Sequence, residues 1–282
     1  MELLHAVDGD LLETPVWDDA HQSLLFVDMR RPSLHRLSWH AQRLAAFGLG
    51  GEASAVLPAV GSGLVVAGRR TVMLGHSWPW TQAGDFVVSE PDVRFNDAAC
   101  DAAGRLWIGT MADDARPRAG QLLRLDPDLS WHVVLEDVTI SNGLGWSPDN
   151  SLMYYIDSAT RKIDVLSYDL ATGDVTGRRM FVDSSSFPGI PDGLAVDADG
   201  CVWVAFYGGG AVRRFAPDGR LVDDVALPVP RPTSLCFAGP DLDVLVVTVR
   251  GDEVGLDGRP CGAHLYAHNT PTPGLATTAF GG

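Results

Sequence analysis

Five oxygen-bearing side chains, Glu13, Asn96, Asp97, Asn142 and Asp192, each stand at the start of a short apolar run. Carboxylate and amide oxygens that converge from separate segments are the ligand chemistry of a hard divalent cation such as Ca²⁺, Mg²⁺ or Mn²⁺, with water completing the shell. Sulfur ligation is not indicated, because Cys100, Cys201, Cys236 and Cys261 are far apart, form no Cys-x-x-Cys pair and read as free core thiols. His21, His76, His132 and His264 lie outside the five positions and read as loop or strand residues. Taken singly, each of the five also suits an Asx-type turn that merely satisfies the backbone. Joint chemistry requires elements that bring them to one place.

Those elements are strands. No amphipathic helical stretch of useful length is present, whereas apolar runs recur between Gly, Pro, Asp and Asn turns. The runs begin at Leu24, Leu64, Leu106, Leu152, Cys201 and Val244. Ahead of them the segments starting at Asn96, Asn142 and Pro191 share one grammar: a polar residue, an apolar strand, an Asp/Gly turn and a second apolar strand, which is a hairpin. Equivalent starts near Glu13, Glu52, Asn96, Asn142, Asp192 and Thr233 are spaced by roughly 40 to 50 residues, the period of a four-stranded propeller blade. A β-sandwich also supplies many short strands, but the sixfold period favours an all-β, six-bladed β-propeller of four-stranded antiparallel blades around a central channel. The expectation is one domain over 1–282, with the repeat-start residues gathered at one mouth of the channel.

Composition narrows the partners. Lys+Arg of 21 against Asp+Glu of 36 gives a net charge of -15, which repels phosphate backbones and anionic membranes, so neither nucleic acid nor membrane is an expected partner. Lys162 is the only lysine, which argues against Schiff-base or P-loop chemistry. Met1 to Leu12 lacks the charge-then-apolar layout of a secretory signal, and the expected location is cytoplasmic. Trp78 and Trp80 either fill space between blades or wall the site. Asp126-Pro-Asp128 and Asp197-Ala-Asp199-Gly200 read as hairpin turns.

The motifs together resemble the SMP-30/gluconolactonase/luciferin-regenerating (regucalcin-like) family. The resemblance runs through Glu13-Thr14-Pro15-Val16-Trp17, Arg94-Phe95-Asn96-Asp97, Gly104 to Met111, Ile140 to Asp149, Pro191-Asp192-Gly193-Leu194 and Pro232-Thr233-Ser234, over nearly the whole chain and in order. It implies one divalent cation (Ca²⁺, Mg²⁺, Mn²⁺ or Zn²⁺) held by Glu13, Asn142 and Asp192, with Asp192 also the proton donor and acceptor. It further implies that Arg94 and Asn96 bind substrate hydroxyls, and that the small-molecule partner is a sugar (aldono) lactone opened to the sugar acid. Two departures stand out. Where relatives carry a substrate-contacting Glu after Gly-Thr-Met, this chain has Asp113-Asp114, of which Asp114 is the nearest match with a shorter reach, and Ala98 replaces a frequent Gly. Alternatives are a calcium-binding, regucalcin-like regulatory propeller with little catalysis, or a related propeller esterase.

Overall fold

The apolar runs become strands because each is bounded by turn formers and is then buried on both faces. The computed structural model describes residues 1–76, 80–84, 88–251 and 262–281. In it the six runs form Ser23–Asp28, Gly63–Gly68, Leu106–Ala112, Leu152–Asp157, Val202–Tyr207 and Val244–Val249. Each is the second of four antiparallel strands in a blade. The inner strands ahead of them are Leu12–Asp18, Ala53–Ala59, Val93–Cys100, Ser141–Trp146, Ile190–Val196 and Pro232–Ala238. The fourth strands face solvent: Leu221–Ala226, reading Leu-Val-Asp-Asp-Val-Ala, is exposed along most of its length. The architecture is a six-bladed β-propeller, as the repeat period implies.

Among the described residues the apolar core is divided between the blades and not gathered at the centre: the buried apolar side chains form six clusters, one between each pair of neighbouring blades. Trp80 packs against the cluster between blades one and two, so it fills space there, whereas Trp78 lies outside the described residues. Cys100, Cys201 and Cys236 are free thiols, and Cys261 lies outside the described residues.

The ring is closed by pairing that no local signal announces. Glu2–Ala6 adds to His264–Asn269 as the outer strand of blade six, Glu2 opposite Ala267 and Ala6 opposite His264, so that blade contains both ends of the ring. The remaining tail crosses the end of the channel away from Glu13 and Asp192. Pro273 O accepts from Ala198 N, Gly274 N donates to Leu242 O, and Phe280 N donates to Pro58 O at 2.9 Å. Leu275 to Thr278 of this tail floor a cavity of about 300 Å³ inside the lower channel. Among the described residues no helix is long and apolar enough to cross a membrane.

Candidate functional site

The expected site residues stand within the inner strands, not ahead of them, at one irregularity repeated in every blade. Register with the second strand shifts between Glu13 and Val16, Ala53 and Ala55, Phe95 and Ala98, Ser141 and Leu144, Pro191 and Leu194, and Pro232 and Leu235. A bulge places extra residues opposite fewer partners and re-aims their side chains. The bulges therefore turn Asn96 with Asp97, Asn142, and Asp192 toward the axis at one level, with Glu13 at the edge of its own.

Local sequence explains how the bulges pack. A Cβ on Gly143 would lie 2.6 Å from Leu194 N, and one on Gly193 would lie 2.6 Å from Ser234 Cα. The Asn-Gly and Asp-Gly pairs thus set each polar residue beside a glycine that lets the next inner strand approach. Thr14 takes φ of 45°, a left-handed conformation unusual for a β-branched residue, and is held there with its hydroxyl donating to Ser54 O at 2.9 Å.

A hydrogen-bond chain links three blades. Arg94 Nη1 donates to Asn96 Oδ1 at 2.7 Å, and Asn96 Nδ2 donates to Asn142 Oδ1 at 2.7 Å and to Ser141 O at 2.8 Å. Asn142 Nδ2 donates to Ser158 Oγ at 2.8 Å, and Ser158 Oγ to Pro191 O at 2.6 Å. Ser158 thereby fixes the amide so that Oδ1 of Asn142 is the atom left on the Asn96 side. No motif marked Ser158 in the sequence.

Asp192 is buried and Glu13 partly buried, and Arg94 offsets their charge only in part. Burial raises the Glu13 carboxyl well above its usual range, and the charges of Asp192 and Asp97 raise it further against the pull of Arg94. Burial likewise raises Asp192, Asp97 adds to it, and Arg94 opposes it. Asp97, present in the repeat-start set but given no role from sequence, is the third acid. Burial lifts it from 3.8 to about 6 although Ala98 N donates to its Oδ1 at 2.8 Å. Among the described residues no three His, Cys, Asp or Glu side chains stand close enough to share a metal. Asp97 is thus felt by Glu13 and Asp192 without joining them, and a cation here would be held by two carboxylates and the Asn142 amide. That donor set, buried and short of donors, fits a hard divalent ion.

The structure does not bring Asp114 to Arg94. Arg94 pairs with Met111 across the ladder, and the strand ends at Ala112 in a turn closed by Ala115 N donating to Ala112 O, which carries Asp113 and Asp114. Asp113 Oδ1 lies 3.8 Å from Arg94 Nε, whereas Asp114 pairs with Arg116 at 3.3 Å and is 66% exposed. Of the two acids, Asp113 is the one beside Arg94.

Comparisons with known proteins place the family and the fold. A family model described as SMP-30/Gluconolactonase/LRE-like region matches residues 11–251. An uncharacterized protein of Sulfolobus acidocaldarius is 38% identical over 271 residues, covering 95% of this chain and 95% of its own. Regucalcin of Xenopus laevis is 35% identical over 282 residues, 96% of this chain and 94% of its own. The crystal structure of regucalcin from Agrobacterium tumefaciens, described as a calcium-binding protein, superposes with a TM-score of 0.93 at 26% identity, over 99% of this chain and 96% of that one.

Proposed function

The chain belongs to the SMP-30/gluconolactonase/LRE-like family, and from that premise we propose that it hydrolyses a sugar lactone to the sugar acid with the help of one divalent cation. The observation that carries the reading is a pair of neighbouring carboxylates, buried Asp192 and partly buried Glu13, whose ordinary ionised forms are opposed by desolvation and by nearby acids more than Arg94 offsets. In this reading Glu13, Asn142 and Asp192 hold the cation. When bound, it supplies positive charge for the lactone carbonyl oxygen as that atom becomes an oxyanion.

The chain's own groups do the rest. Arg94 keeps its Nη1 on Asn96 and Phe95 O and one Nη2 hydrogen on Met111 Sδ at 3.3 Å, a weak acceptor, which leaves the second Nη2 hydrogen to anchor a sugar hydroxyl, with Asn96 beside it. Asp192 takes the proton of the attacking water and returns one to the ring oxygen as it leaves. Asp192 must be ionised to take that proton; burial favours its protonated form, and a cation beside it would restore the ionised form while making it a weaker base. Asp113, in place of Asp114, is the acid facing the sugar.

A second reading, calcium binding without turnover, uses the same three ligands and draws on the description of the Agrobacterium tumefaciens relative. A pH-stat assay of a sugar-lactone panel, on chelator-treated protein with single metals added back, decides between them. Metal-dependent opening is expected. No opening above the spontaneous rate with any metal would sink the enzyme reading, and calorimetric Ca²⁺ binding would then be the remaining activity.

A further inference from the structure

Beside Arg94 the rim of the site carries a chain of alternating charge. Arg69, just past Gly63–Gly68 in blade two, donates through Nη1 to Glu52 Oε2 at 2.8 Å and through Nη2 to Asp113 Oδ2. The other oxygen of Asp113 faces Arg94 Nε. The backbone of the same two residues pins the strand on either side of Arg94: Phe95 N donates to Arg69 O at 2.9 Å, and Asp113 N donates to Asp92 O at 2.8 Å. Arg94 is therefore bonded through Nη1 to Asn96 and Phe95 O and through Nη2 to Met111 Sδ, while its Nε edge faces the charge of Asp113, which is itself held by Arg69.

Ion pairs this exposed contribute little to stability, with Glu52, Arg69 and Asp113 side chains 50%, 31% and 45% exposed. Their geometric effect is larger. A guanidinium is a rigid planar fork, so its free N–H groups meet ligand hydroxyls only when the plane is set, and a misplaced binding group costs affinity out of proportion to its displacement. We propose that Arg69 is a positioning residue for sugar recognition: acting through Asp113, it sets the plane of the Arg94 guanidinium. The inference rests on Arg94 being the sugar anchor and adds to it a residue from a different blade.

In steady-state kinetics Arg69→Ala is expected to raise KM for the lactone about tenfold while kcat stays within about twofold, the pattern of lost binding that is equal in ground and transition states. Arg69→Lys should recover part of the loss, because a point charge reaches one carboxylate but cannot fork between two. Asp113→Asn should raise KM more than Asp114→Asn. The crystal structure of Arg69→Ala should show Arg94 turned away from Asn96, a readout that needs no turnover. Unchanged KM, or an Arg94 that keeps its plane and its bond to Asn96, overturns the inference. A wild-type protein that opens no lactone overturns the lactonase reading instead, and the position of Arg94 in the variant then decides the positioning role by itself.

Discussion

Two sets of buried acids sit in this propeller, and they differ in what they receive. Asp101 and Asp197, in the turns after the inner strands of blades three and five, are fully buried. Asp101 accepts from Ala103 N, Arg105 N, Trp107 Nε1 and Tyr168 OH, and Asp197 accepts from Asp199 N, Cys201 N, Trp203 Nε1 and Arg214 Nε. Asp192, buried, and Glu13, partly buried, sit toward the other end of the inner strands of blades five and one, and among the described residues their support is one backbone bond, from Thr14 to Glu13, and the charge of Arg94. Burying a charge costs several kcal/mol unless hydrogen bonds or an opposite charge offset it. Burial therefore does not separate a structural acid from a ligand. A shortage of donors does, and in this chain the shortage coincides with the ring of bulges.

The comparison can be broken from either side. Removing a donor-poor acid should erase function with little effect on the fold: Asp192→Ala is expected to lower kcat at least about 10³-fold, with a melting temperature no lower than wild type in chelator, since one of three mutually repelling acids is gone. Removing a donor-rich acid should do the reverse. Asp197→Ala strands the Trp203 and Arg214 donors and is expected to cost about 3 kcal/mol or more in denaturant unfolding while kcat per folded molecule stays near wild type. Comparable stability losses in both variants would erase the distinction.

A smaller effect lies in pH. Asp97 is raised to about 6, and Glu13 and Asp192 are raised as well. A carboxyl whose folded pKa exceeds its unfolded value contributes stability that is full below the unfolded pKa, near 4, and is lost as pH rises through the folded pKa. Between pH 5 and 8 the cation-free protein therefore loses this contribution. His35 and His268, held below their usual value by burial, push stability the other way. Taking the difference with and without Ca²⁺ cancels them. The gain in melting temperature on adding Ca²⁺ is expected to grow by a few degrees from pH 5 to pH 8, measured by scanning calorimetry; a gain that shrinks with pH would contradict the assignment.

Much of this was legible in the residues. The six apolar runs named the second strands because burial on both faces removes alternation, and Glu13, Asn96, Asn142 and Asp192 do meet at one level of the channel. What stayed hidden depends on register or on distant pairing. A bulge adds residues without changing composition, so Asn142 and Asp192 read as standing at the start of an apolar strand although they lie inside one. Asp113 and Asp114 are adjacent in one turn after the strand, and only their folded contacts, Asp113 with Arg94 and Asp114 with Arg116, tell them apart. Asp197 read as a hairpin turn, which it is, but its bond to Trp203 at 2.9 Å depends on the blade's own packing. The closure of blade six by Glu2–Ala6 joins residues from opposite ends of the chain, where no local pattern speaks.

The central claim is that Glu13, Asn142 and Asp192 together hold one divalent cation, and titration calorimetry of chelator-treated protein tests it most directly. Wild type is expected to bind one Ca²⁺ per chain, and Glu13→Gln, which keeps the shape and removes one charge, to bind at least about 100-fold more weakly. Equal affinity in the two proteins, or no cation bound by wild type, would contradict the account.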